Sequence, residues 1–221
     1  HKVVYAWFDN SEKTPFSRGQ HISDAPDSLD VISMMYPAEL AAFELVDMQT
    51  VHAKGTKVVY TISFDKIQKE YTEKVKEGTE TGSFDTYLKS EMDKQIGYAG
   101  SFDGMITEYK GNNPIYMSAE QKAEAKKYQD IFFSAVLTWK TANADKLLTF
   151  QGYPENLIEQ TILTNCKHII LATDNVTDDA QLSVFARLAM AAAGVPTDRF
   201  VVAVSTASLD ASDKQTGFYG T

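Results

Sequence analysis

The chain has 221 residues, of which 43% are hydrophobic and 11% aromatic, and 30 acidic against 21 basic side chains give a formal charge of −9. That is enough apolar material for a real core, and with Cys166 as the only cysteine it excludes a disordered tail, a collagen-like fibre and a disulfide scaffold. So acidic a chain has no electrostatic reason to seek phosphate backbones or anionic lipid, and no apolar run approaches the roughly 18 residues that span a bilayer.

The sequence begins at His1 with a strand-like run directly behind it, so removal of a leader is expected. Seven apolar, β-branched runs follow in order, at 3–8, 30–35, 57–64, 102–109, 146–151, 168–173 and 200–205. Most are continuously hydrophobic, as strands buried on both faces of a parallel sheet are. After the first run, Phe8-Asp9-Asn10-Ser11 holds no glycine-rich loop, which excludes a dinucleotide fold. After the second, Pro37 is expected in the first turn of a helix that Gly55 closes. Ser118 with Gln121 reads as a capping box opening the helix that leads to the fifth run. Asp178 with Gln181 repeats the device before a helix ending near Gly194, with Pro196 just beyond. There is no linker and no low-complexity tract.

Strands alternating with helices, without a hairpin signal, mean an α/β fold. An open doubly wound sheet and a (β/α)8 TIM barrel compete, and the strand count favours the barrel. The expectation is therefore one barrel domain over residues 1–221, seen without its last β/α unit. Chemistry in such a barrel sits where strands end. Those ends carry Trp7 and Asp9, Met34 and Tyr36, Ser63 and Asp65, Glu108 and Lys110, Gln151 and Tyr153, Asp174 and Asn175, then Ser205 and Ser208. Aromatic faces with neutral donors and acceptors suit a carbohydrate cleft.

The segment from Tyr98 to Lys110 is the most informative. Phe102-Asp103-Gly104-Met105 resembles the opening of the fourth-strand signature of family 18 glycoside hydrolases, the chitinase and endo-β-N-acetylglucosaminidase group, whose pattern is Asp-Gly-x-Asp-x-Asp-x-Glu. The chain looks most like the family 18 proteins encoded with glycan-uptake systems of gut Bacteroidetes. The resemblance implies a substrate-assisted mechanism, in which the glutamic acid protonates the glycosidic oxygen and an Asp two residues earlier orients the N-acetyl group. The chain departs from that pattern, reading Ile106, Glu108 and Lys110 where the family carries Asp, Asp and Glu.

Residues two apart on a strand share a face and lie roughly 6–7 Å apart, so an active pair would reach one sugar. Here the pair fails in either register. An ammonium at Lys110 is no mid-range proton donor, and if Glu108 is the acid its partner is Ile106. A Glu108–Lys110 charge pair is expected to hold Glu108 ionised, the wrong state for a general acid. The favoured expectation is a glycan-binding homologue without hydrolysis, recognising N-acetylglucosamine-containing glycans through Trp7, Asp9, Tyr36, Glu108, Lys110, Gln151, Tyr153, Asp174 and Asn175. The alternatives are an active glycosidase using Glu108 or other acids, such as Asp9, Asp65 or Asp174, and an unrelated α/β enzyme or structural domain.

The four histidines are scattered without metal-ligand spacing, and Cys166 precedes a buried strand without a paired His motif. No metal and no cofactor are expected. The resemblance further implies an extracytoplasmic place, at a bacterial cell surface or in the periplasm, with an oligosaccharide or polysaccharide as partner and glycan-uptake proteins as neighbours.

Overall fold

The computed structural model describes residues 2–220, and all seven apolar runs contain strands. These are β1 (Tyr5–Phe8), β2 (Val31–Met34), β3 (Lys57–Ser63), β4 (Gly104–Tyr109), β5 (Leu147–Gly152), β6 (His168–Leu171) and β7 (Phe200–Val202). Every neighbouring pair is parallel, and the strands follow one another from β1 to β7 with no reversal. A doubly wound sheet must reverse its strand order at a switch point, so that architecture is excluded.

The sheet is curled. The Tyr5 hydroxyl on β1 shares hydrogen bonds with the Thr149 hydroxyl on β5 at 2.8 Å and with Nδ1 of His168 on β6 at 2.7 Å. In a flat sheet, four strand spacings would hold β1 and β5 roughly 19 Å apart, beyond the reach of any side chain. The seven strands therefore form a half-barrel of the TIM type, with no eighth strand among the described residues and with β1 and β7 at its edges there. Inside the curl, Val31, Val59, Ile106, Ile170 and Ala203 form a small apolar core. Outside it, a larger core built on Tyr60, Phe102, Phe132 and Phe150 packs the strands against the helices. Burial on both faces explains why the strands read as continuous apolar runs.

The helices are α1 (Ala42–Ala53), α2 (Phe64–Glu77), α3 (Phe84–Ile96), α4 (Ala119–Ala142), the single turn α5 (Thr161–Thr164) and α6 (Asp179–Ala191). Two of them, α2 and α3, fill the β3–β4 connection. Their starts are chemically marked. Ser118 accepts from the Gln121 amide at 3.1 Å while Gln121 accepts from the Ser118 amide at 2.9 Å, and Asp178 accepts from the Gln181 amide at 2.9 Å. Gly55 follows α1 with a φ of 91°.

One start differs from the sequence expectation. Pro37 lies outside the helix, which begins at Ala42, where Glu44 accepts from the Ala41 amide at 2.6 Å. Asn10 holds both backbone groups of Tyr36, and Pro37 lies in the non-helical stretch between that link and the cap at Ala41. No helix among the described residues is long and apolar enough to cross a membrane.

Candidate functional site

Alternation along β4 sorts its side chains. Met105 and Tyr109 pack on the helix side, Ile106 lies in the inner core, and Glu108 rises above it at the carboxyl end of the strand. Trp7, Ser63 and Gln151 contribute in the same way from β1, β3 and β5, and Asp174 from the loop after β6. With Glu108 they line one open cleft of about 370 Å³. Trp7 leaves 40% of its surface exposed, so its ring is a free contact face.

The Ser63 hydroxyl donates to Oε1 of Glu108 at 2.7 Å, and the strand register places the two residues side by side. Burial pushes the Glu108 carboxyl above its ordinary value; the Ser63 hydrogen bond and the Lys110 charge pull it down, while Asp65 and Asp174 add to the rise. The expected ion pair therefore does not decide the protonation state. Desolvation outweighs Lys110, and the proton is held more tightly than in water. Gln151 contributes a buried Oε1 that has no protein partner, an acceptor suited to an incoming N–H or O–H.

Lys110 does not line the cleft. Its backbone is fixed on both sides: the amide donates to Oδ2 of Asp65 at 2.8 Å and the carbonyl accepts from Nδ2 of Asn156 at 2.8 Å. Asp65 is thereby committed to the chain beyond β4, where Gly111 also donates to its Oδ1 at 3.4 Å.

Four other candidates stand apart from this cleft. Asp9 is exposed and accepts from the Ser11 amide at 2.9 Å; the Ser11 side chain first, and its amide second, lower the Asp9 pKa away from general-acid range. Tyr36 projects from a loop at 47% exposure. Asn175 faces a second cavity, of about 200 Å³, bounded by Phe218 and Tyr219. Tyr153 stacks on Phe185 of α6, with ring centroids 5.8 Å apart and planes at 19°. Strand alternation would put Tyr153 beside Gln151, but β5 ends at Gly152, whose φ of 139° breaks the alternation.

Asn10 is the residue that motif reading passes over. Buried, it donates to the Tyr36 carbonyl at 2.8 Å and to Oε1 of Glu44 at 2.7 Å, and its Oδ1 accepts from the Tyr36 amide at 2.7 Å. It joins the loops after β1 and β2, and no local motif marks such a link. Elsewhere, His21 is bonded to Asp47 at 2.7 Å, and Cys166 donates to the Ile162 carbonyl at 3.2 Å while burial pushes its thiol up to about 12.

A family model described as "Glycoside hydrolase family 18, BT1044-like" matches residues 1–221. Among solved structures, BT1044 superposes with a TM-score of 0.65 at 14% identity, covering 93% of this chain and 67% of its own. A class V chitinase from Nicotiana tobaccum gives 0.56 at 14% identity over 91% of this chain and 66% of its own. A chitinase from Cycas revoluta, in complex with (GlcNAc)3, gives 0.55 at 14% identity, with coverages of 91% and 68%. At such identities the likeness shows the fold, and this chain spans about two thirds of those structures' length. No curated protein matches the chain.

Proposed function

This chain belongs to glycoside hydrolase family 18, within its BT1044-like group, and we propose that it binds N-acetylglucosamine-containing glycans without hydrolysing them. The observation that supports this most directly is Ile106, fully buried in the inner core directly below Glu108. The family mechanism needs two carboxylates two residues apart, and beside Glu108 this strand offers an aliphatic side chain on one side and an ammonium on the other. What remains is a binding surface: the half-exposed Trp7 ring, the open acceptor of Gln151, and the carboxyls of Glu108 and Asp174. The (GlcNAc)3 held by the Cycas revoluta chitinase sets the choice of ligand class. Incubation with chitohexaose or high-mannose N-glycan is expected to release no reducing ends. Calorimetry should show binding that Trp7→Ala weakens by about 1–3 kcal/mol, because it removes a large aromatic contact.

A second reading has one observation in its favour. A buried carboxyl with a raised pKa and a fixed hydroxyl neighbour is how a general acid is prepared, and Glu108 has both. Hydrolysis by the unmodified protein that Glu108→Gln abolishes would establish that reading instead.

The same proposal places the protein outside the cytoplasm, at a bacterial cell surface or in the periplasm beside glycan-uptake proteins, because polymeric glycan is encountered there. Family membership is its support. Fractionation of the native cell should find the protein in envelope fractions, and recovery from the cytosol would oppose it.

A further inference from the structure

A second groove, of about 570 Å³, lies on the outer side of the loop joining β4 to α4. Its lining combines the half-buried ring of Tyr128 with the amides of Gln68, Asn112 and Gln121, over the buried core rings of Phe64 and Tyr109. At its lip stands Tyr116, 83% exposed, next to Ile115 at 73%. The one charged group in the lining, Glu124, accepts from the Tyr128 hydroxyl at 3.3 Å.

Tyr116 contributes almost no burial to the fold, yet the loop that carries it is held at both ends. Asp65 takes the amides of Lys110 and Gly111 at one end, and the Ser118–Gln121 capping box closes the other. Between them Asn113 accepts from the Ile115 amide at 3.1 Å, fixing the turn that presents the ring. An exposed aromatic on an anchored loop is a contact surface prepared before any ligand arrives, which lowers the ordering cost of binding.

The lining chemistry selects the ligand. The exposed Tyr116 ring and the half-buried Tyr128 ring can cover the apolar faces of sugar rings, and neutral amides exchange hydrogen bonds with hydroxyls and N-acetyl groups. No cation lines the groove, so a phosphate or an acidic peptide would find no countercharge. The groove and the cleft lie on opposite faces of β4. Ser63 and Glu108 face the cleft, and the residues that follow them, Phe64 and Tyr109, face the groove, so a glycan that reaches both crosses the carboxyl end of the strand.

We propose that this groove is a second saccharide subsite, which holds the outlying sugars of a glycan whose end lies in the cleft. The inference rests on the glycan-binding reading of that cleft. Calorimetric titration of the intact protein with chitobiose and with chitohexaose tests it. Tyr116→Ala and Gln68→Ala, both at exposed positions, should each weaken chitohexaose binding about fivefold to tenfold and leave chitobiose within about twofold, whereas Trp7→Ala should weaken both. Chitohexaose binding that falls with Trp7→Ala but is untouched by Tyr116→Ala and Gln68→Ala would overturn the subsite and leave the cleft reading intact. Binding of neither sugar would overturn the cleft reading and the subsite with it.

Discussion

Glu108 joins two demands that oppose one another. Its carboxyl is pushed up by burial, so the folded protein holds a proton that the unfolded chain releases above the ordinary carboxylate range. The sign follows from proton counting. Between the unfolded and the folded pKa the native state binds more protons, so this group's contribution to stability falls as pH rises through that window and stays low above it. Glu108→Gln keeps an acceptor for Ser63 and removes the titration. We expect it to raise Tm at pH 7, with the advantage shrinking toward pH 4; a Tm gain that is equal at both pH values would show that desolvation of the charge is not the cause. Glu108 itself was legible in the sequence, because strand alternation fixes its face. Tyr153 was not, since the positive φ at Gly152 is invisible to a count of alternating residues. Nor was the rise in the Glu108 pKa, because a neighbouring lysine shows in the sequence while the depth of a cleft does not.

At the scale of the element, two contacts hold the strands at the separation the cleft needs. A Cβ on Gly104 would lie 2.0 Å from the Leu147 carbonyl oxygen, so only glycine lets β4 and β5 approach here. Gly104→Ala should destabilise the protein by about 1–3 kcal/mol, as overpacking of a close backbone contact does, measured by denaturant unfolding. Across the lumen, Tyr5→Phe would leave Thr149 and His168 without their shared hydroxyl partner and should cost about 1–3 kcal/mol in the same assay. A neutral result for either variant would mean that the strand spacing is set elsewhere. The strands were legible as runs, and their ends shifted for local reasons. The sixth run extends to Thr173, but there the Thr173 side chain takes over from the ladder, accepting from the Ala203 amide and donating to the Ala203 carbonyl, both at 2.9 Å. Helix starts with a side-chain cap were legible as well; the α1 start was not, because its Glu44 is tied to Asn10, a residue from another loop.

For the whole molecule, sequential strand order and curl place Trp7, Glu108, Gln151 and Asp174 in one cleft although they are spread over most of the chain. The barrel was legible because seven buried strands with no glycine-rich first turn leave few topologies open. The convergence of these side chains was legible only as far as strand ends predict it: Asp174, three residues past β6, joins the cleft, whereas its neighbour Asn175 lines only the second cavity. On the function proposed above, this assembly retains a glycan but lacks the second carboxylate needed to cut it. Native mass spectrometry of the intact protein after prolonged incubation with chitohexaose tests both halves at once. A protein–hexasaccharide complex with the sugar mass unchanged is the expected result. Release of shorter oligosaccharides from chitohexaose would overturn the proposed function.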